Sequence, residues 1–382
     1  MNKKVMIVAG EASGDLHGSG LVREMFNMQP DLEIFGIGGD RMNQQGVRLL
    51  YHINEMSVIG FWDVLKRFPF FKKVYRNLVS AMDENSPDLL ILIDYPGMNL
   101  KLAKAAKERN IKVFYYIAPQ VWAWGSNRIQ KMARLVDRMA VIIPFEEKMF
   151  KQAGIDATFV GHPLLESVES KVDRNDFLQK YGLKKDQKII GLLPGSRPLE
   201  VKRLLPEMVQ TIRQLRKNHA EIQTIISKAD SVPLNIYQEI LQNNNQVKLA
   251  ENSTYDIMKH SDVLVVASGT ATLESALFAT PLIIVYKVDP LSYFIGKQLV
   301  KIDSIGLVNV IAERKIVAEF VQHKFKSDHL LPEIEKLLFD ENYRKTIIAN
   351  LKNIKKKLGE SGASNKSARI AIETMNSKKI SQ

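Results

Sequence analysis

The chain has 382 residues, 45% of them apolar and 25% charged, a formal net charge of +12 and no cysteine. That length exceeds one ordinary core and points to two domains. The missing cysteine excludes disulfides, thiolate nucleophiles and Cys-based metal sites, and it suits a reducing cytoplasm.

The first apolar run, Val5 to Ala9, is broken by Gly10 and Glu11. It is too short for a signal peptide and reads as a first strand entering a turn. No window approaches the roughly 18 apolar residues needed to span a bilayer, so the chain is expected not to cross a membrane. Short β-rich runs follow at 33–37, 89–94, 112–118, 138–143 and 158–161, then at 188–193, 223–227, 247–251, 262–268 and 281–286. Helical patterns separate them, as in βαβ units around parallel sheets. The runs LLILI and IIGLL do not alternate, as expected of strands buried on both faces. The fold class is therefore α/β, with two doubly wound domains in tandem. The expected divisions are 1–165, 166–345 and a basic helical segment at 346–382, which the sequence permits to cross back onto the first domain.

Ligands of parallel sheets sit beyond the carboxyl ends of the strands, which selects a few turns. AGEASGD follows the first run, where Gly10 and Gly14 permit a tight turn, Glu11 and Ser13 offer polar groups, and the next helix presents free N–H groups. It lacks the GxGxxG pattern, which disfavours a dinucleotide, and a plain βα turn explains it about as well. LLPGSR brings Gly195, Ser196 and Arg197 to the start of a helix, and Arg197 carries a forked cation suited to phosphate. In ASGTATLE, the small residues Ser268, Gly269, Thr270, Ala271 and Thr272 open another helix. Such a start cradles a diphosphate, and Glu274 one turn inside suits ribose hydroxyls. Asp94 ends the LLILID run. Its place suits a general base, while spacing alone favours capping or an ion pair. His17 and His162 are further polar candidates, and a lone His is more often structural. No Asp-x-Asp pair or His pair has metal-ligand spacing, so no metal and no cofactor are expected.

The positive charge is local, +4 over residues 56–78 and +6 over residues 351–382. It implies a polyanionic partner: nucleic acid, an anionic lipid surface or phosphorylated substrates. Val58, Ile59, Phe61, Trp62, Leu65 and Phe68 are bracketed by Lys66, Arg67, Lys72 and Lys73. That pattern fits an interfacial helix among anionic head groups, or an acyl-chain pocket, or plain core. The stripe Phe70, Phe71, Val74, Tyr75, Leu78, Val79, Met82 that follows is of the kind that usually faces a core.

AGEASGD, IDYPGMN around Asp94, PQVWAWGSNRI, FVGHP around His162, LLPGSR, ASGTATLE and GLVNVIAER occur in an order that resembles the lipid-A-disaccharide synthase family, from residue 4 to about 320. The resemblance implies a GT-B fold, with two Rossmann-like domains facing a central cleft. It implies an inverting transfer from UDP-2,3-diacylglucosamine to the 6-hydroxyl of 2,3-diacylglucosamine 1-phosphate, releasing UDP. On the matching motifs it makes Asp94 the base, Arg197 a phosphate contact and Glu274 a ribose contact, with Asn309 and Arg314 completing the donor set and Glu11 and His162 near the acceptor. The family's AGRE stands here as Ala312, Glu313, Arg314, Lys315, a departure that leaves that loop's role open. The implied location is cytoplasmic, peripheral to the inner face of the membrane. The rival readings are another GT-B UDP-GlcNAc transferase, a 2-epimerase, and a non-catalytic nucleotide-sugar or RNA-binding protein; the aromatic-basic motifs of the last are missing from the sequence.

Overall fold

Two all-parallel sheets account for the strand runs in a computed structural model that describes residues 2–56, 67–122, 127–242, 247–289, 293 and 304–377. The chain divides into two units, Met1–Glu166 with Leu358–Gln382, and Ser167–Lys357.

The strands of the first unit are β1 (Lys4–Ala9), β2 (Glu33–Gly38), β3 (Arg48–His52), β4 (Leu89–Ile93), β5 (Lys112–Tyr116), β6 (Arg138–Val141) and β7 (Ala157–Phe159). They lie in the order β3-β2-β1-β4-β5-β6-β7. Val5 sits between Ile34 and Leu89, and β4 is buried along its whole length, so the lack of alternation in LLILI has its expected cause. β3 was not expected. Its residues RLLYH are half-exposed at the sheet edge and carry no clean apolar run.

In the Phe68–Asn85 helix, Val74, Leu78 and Met82 are buried, and Phe70, Phe71, Tyr75 and Val79 pack against the same core. That stripe is core, as its period indicated. Residues 57–66, which include Val58, Ile59, Phe61, Trp62, Leu65 and Lys66, lie outside the described residues.

The segment 346–382 divides rather than forming one piece. The Glu341–Lys357 helix belongs to the second unit and the Ala363–Asn376 helix to the first. The latter packs on the Ala12–Met28 helix, and Asn365 donates to Glu24 at 2.9 Å. Glu166 accepts from the Gly362 and Ser364 N–H groups and from the Ser364 hydroxyl at 3.0, 2.9 and 2.6 Å. A carboxylate on otherwise orphaned N–H groups is the favourable charge for a helix start.

The second unit contains β8 (Ile189–Leu193), β9 (Gln223–Lys228), β10 (Val247–Glu251), β11 (Val263–Ala267), β12 (Leu282–Tyr286) and β13 (Glu319–Val321). The order is β10-β9-β8-β11-β12-β13. β13, a three-residue edge strand, is too short to show a pattern. The two units repeat one device at the foot of the sheet. Asp88, just before β4, accepts from Lys4 N–H at 3.0 Å, and Asp262, just before β11, accepts from Ile189 N–H at 2.9 Å. Each locks the crossing strand to the strand that opens its unit. No helix among the described residues is long and apolar enough to cross a membrane.

Candidate active site

Each sheet has one place where its strand order reverses, between β1 and β4 in the first unit and between β8 and β11 in the second. Doubly wound sheets take their ligands beyond the carboxyl ends of the two strands at such a switch point. The four turns that follow those strands are AGEASGD, the Asp94 turn, LLPGSR and ASGTATLE.

In the first unit, Asp94 and Tyr95 both adopt left-handed backbone, with φ of 43° and 46°, and Ile117 after β5 does the same at 63°. Non-glycine residues held this way cost energy and tend to mark functional turns. The turn is pinned by its own carbonyl. The Asp94 C=O accepts from the Tyr115 hydroxyl at 2.6 Å and from the Asn99 amide at 2.8 Å, while the Asp94 N–H donates to Ile117 O at 3.1 Å. The Tyr95 ring lies across Gly10, where an added Cβ would come within 2.4 Å of the ring. Glycine is needed there for close approach. Gly14 lets the following helix lie against Ala9 and Ile93, while Glu11 and Ser13 are exposed.

Burial pushes the Asp94 carboxyl up to about 6, and the nearby Glu11 charge adds to the rise. A carboxylate whose affinity for protons approaches neutrality is matched to general-base work. Burial lowers His17 to about 4 and His162 to about 3, the latter with help from His17; their rings meet edge to face at 6.4 Å. His162 Nδ1 accepts from Leu164 N–H at 3.2 Å. Both imidazoles are therefore neutral at pH 7 and suited to hydrogen bonding rather than to holding charge.

Asp15 serves structure. It accepts from Gly39, Arg41 and Met42 N–H groups at 2.7, 3.2 and 3.1 Å, capping the Asp40–Gln44 helix. The sequence does not mark Glu146, since a Glu at the third position of a helix reads as an ordinary first-turn acid. It is 1% exposed, accepts from the Trp122 indole at 2.9 Å and from Ile143 N–H at 3.3 Å, and burial raises it to about 8. Trp122 belongs to the WAW segment, whose residues 123–126 lie outside the described residues.

In the second unit, Gly195 is half-buried, and Ser196 and Arg197 are exposed at the start of the Pro198–Asn218 helix. Glu200 takes this turn in hand. One carboxylate oxygen accepts from Ser196 and Arg197 N–H groups at 3.2 and 3.3 Å, and the other meets the Arg197 guanidinium at 3.3 Å. Gly269 and Thr270 are exposed at the start of the Thr270–Leu277 helix, beside half-buried Ala271, with the Ser268 hydroxyl on Ile305 O at 3.1 Å. Thr272 is fully buried and its hydroxyl donates back to Gly269 O at 2.8 Å, so it shapes the turn rather than facing a ligand. Glu274 accepts from the Tyr255 hydroxyl at 3.1 Å and is raised by burial.

Asn309 has another occupation. Its amide donates to Val317 O and Glu319 at 2.9 and 2.7 Å, and its oxygen accepts from Ile316 and Val317 N–H groups at 2.8 and 3.1 Å. All of its hydrogen-bonding positions hold its own loop together. Arg314 is exposed and donates to Asn350 at 2.8 Å. Glu313 stands at φ 58° in the left-handed region, where the glycine that the resemblance puts at this place would carry no penalty. Arg67 donates to Glu55 O at 2.9 Å and lies 5.0 Å from the centre of the Phe70 ring; Phe68 is 59% exposed, and Lys72 and Lys73 are exposed beside it.

The family model for lipid-A-disaccharide synthetase matches residues 5–373. A lipid-A-disaccharide synthase of Geobacter metallireducens is 42% identical over 379 residues, 99% of each chain. One of Syntrophus aciditrophicus is 43% identical over 375 residues, 97% of this chain and 98% of that one. Among solved structures, a putative UDP-N-acetylglucosamine 2-epimerase of Listeria monocytogenes aligns with a TM-score of 0.66 at 13% identity, covering 98% of this chain and 96% of that one. The UDP complex of MnaA from S. aureus aligns with a TM-score of 0.66 at 14% identity, over 98% and 97% of the two chains. These structural likenesses bear on the fold alone, and it is the fold expected of two Rossmann-like units.

Proposed function

The chain belongs to the lipid-A-disaccharide synthase family, glycosyltransferases acting on nucleotide-sugar and lipid-sugar substrates of lipid A synthesis, and from that premise we propose how its two strand-end sites divide the reaction. Asp94 takes the proton from the 6-hydroxyl of 2,3-diacylglucosamine 1-phosphate. The freed oxygen attacks C1 of the diacylglucosamine on UDP as the C1–O bond to the diphosphate breaks, and UDP leaves with the electron pair. One displacement inverts the anomeric centre from α to β.

In this reading Arg197 and the N–H groups at Gly269 and Thr270 receive the diphosphate, where a helix start and a guanidinium offset the growing charge. Arg197 exchanges its Glu200 partner for phosphate when the donor arrives. Glu274 reaches the ribose, and Glu11 and His162 line the acceptor side. The observation that carries the proposal is the place of Asp94: a partly desolvated carboxyl at a switch point, next to Glu11, raised to about 6.

No metal is assigned a role, because Arg197 and the helix start supply the positive charge; turnover that survives EDTA supports this, and loss restored by a divalent cation overturns it. The exposed Phe68, at the start of the helix that carries exposed Lys72 and Lys73, supports docking on an anionic lipid surface at the cytoplasmic face. Sedimentation with anionic but not neutral vesicles is the expected result. The activity itself is tested by incubating the protein with UDP-diacylglucosamine and diacylglucosamine 1-phosphate. Mass analysis should find the β-1,6 disaccharide 1-phosphate; UDP release without disaccharide would sink the proposal. Family membership removes the rival epimerase and non-catalytic readings.

A further inference from the structure

The carboxyl ends of β4, β5 and β6, adjacent in the sheet, are tied into one line of contacts. Asp94 N–H donates to Ile117 O at 3.1 Å, and Ile117 N–H donates to Ala140 O at 3.0 Å. The turns that continue from β5 and β6 are joined by a side-chain bond, from the Trp122 indole to Glu146 at 2.9 Å. Glu146 also accepts from Ile143 N–H at 3.3 Å, which fixes it to the start of its own helix, Pro144–Gln152, two residues beyond β6. Phe145 meets the Trp122 ring edge to face at 5.3 Å. A carboxyl 1% exposed is an expensive way to start a helix, and an exposed Asp or Glu would satisfy the same N–H at less cost. The residue that gains from this carboxyl is Trp122, at the start of the WAW segment.

We infer that Glu146 is a positioning residue for the transfer: by accepting from the Trp122 indole it holds the turn after β5 in place, and that turn in turn holds the Asp94 backbone through Ile117. The inference rests on the reading of Asp94 as the base. Burial keeps Glu146 protonated at neutral pH, with the Asp94 charge as a lesser contribution, so the brace places no second carboxylate charge beside the base. What the arrangement needs from residue 146 is an acceptor, not an anion. Glutamine supplies one, and leucine of similar size does not.

The test compares Glu146→Gln, Glu146→Leu, Trp122→Phe and Asp94→Asn, with full-length protein and both substrates. Circular dichroism and Tm first establish that each variant folds. Glu146→Leu and Trp122→Phe should lower kcat between about tenfold and a hundredfold, the cost of a base displaced by a fraction of an ångström to an ångström, with KM for the UDP-sugar unchanged. Glu146→Gln should stay within about threefold of the parent, because it keeps the acceptor. A folded Glu146→Leu protein with normal kcat overturns the inference. So does a Glu146→Gln protein that falls as far as Glu146→Leu, since the acidic proton itself would then matter. If Glu146→Leu does not fold, Trp122→Phe decides: normal turnover there overturns the brace. Asp94→Asn separates the two readings. If it retains turnover, the base assignment fails; if it alone is inactive, the base stands and the brace falls.

Discussion

The two switch points are built from the same topology and finished in opposite ways. At β1/β4 the proposed base is a side chain, partly buried, raised to about 6 and mounted on backbone held at φ 43° and 46°. At β8/β11 the proposed phosphate contacts are exposed: Ser196, Arg197, Gly269 and Thr270, with the Arg197 guanidinium resting on Glu200 at 3.3 Å. The contrast follows from the tasks. A base must be desolvated to bind a proton near neutral pH, and desolvation with strain costs stability. A diphosphate carries its own charge and needs only donors that are open and aimed. The proton half is thus expensive and rigid, and the phosphate half is open.

The largest effect expected is at the proton half. Asp94→Asn should lower kcat by roughly a thousandfold or more, the upper range for loss of a general base, with UDP affinity kept. Near-normal turnover would remove the proton half altogether. The same substitution measures the strain of desolvation. The folded-state pKa of Asp94 lies above that of the unfolded chain, so the stabilisation it gives is complete below about pH 4 and is lost as pH rises through about 6. At pH 8 the buried charge costs on the order of 3 kcal/mol, and Asn removes it while tolerating the left-handed backbone. The inactive variant should therefore melt higher than the parent at pH 8 and level with it at pH 4. A Tm equal at both values would mean that Asp94 is not desolvated.

At the phosphate half, Arg197→Ala should reduce kcat/KM by about a hundredfold to a thousandfold, as when one preorganised donor to a developing charge is removed. UDP affinity should weaken with it. Arg197→Lys should recover part of the loss, since it restores charge without the fork. If UDP binds Arg197→Ala as it binds the parent, the diphosphate lies elsewhere and the comparison breaks. Glu11→Gln then sharpens the first half. The Glu11 charge is the second cause of the raised Asp94 pKa. Its removal should shift the acid limb of kcat/KM from near pH 6 toward the ordinary carboxylate range, whatever it does to the plateau through the acceptor side.

Much of this was legible from residue order, and the illegible part has physical causes. LLILI and IIGLL announced two-sided burial, and the turns after them carried the candidate residues. β3 and β13 are edge strands, where exposure or brevity removes the pattern that identifies a strand. Asp94 could be placed at a strand end, but spacing could not show that its turn is left-handed, pinned by Tyr115 and Asn99 and desolvated. Those are tertiary facts. Glu146 was invisible for the same reason, because its spacing suits a helix start and only packing reveals a buried acid on an indole. Thr272 and Asn309 show the converse. Their residue types suit a ligand site, and their hydrogen bonds go back into their own loops.

The smallest effect tests whether the departure at 312–315 concerns function or backbone. Glu313 sits at φ 58°, ψ 20° at the end of the Leu307–Ala312 helix, where glycine is the residue without penalty. Its side chain approaches Lys357 at 3.6 Å and is 71% exposed, so that pair contributes little. Glu313→Gly should raise stability by about 0.5–1 kcal/mol, the left-handed cost less the added unfolded-state freedom of glycine. A thermal melt with urea titration reads it directly. Donor KM and kcat should not move, since Asn309 holds the loop by four bonds that this change leaves alone. If turnover rises instead, the loop reaches the donor, and the phosphate half extends beyond the two switch-point turns to include Arg314.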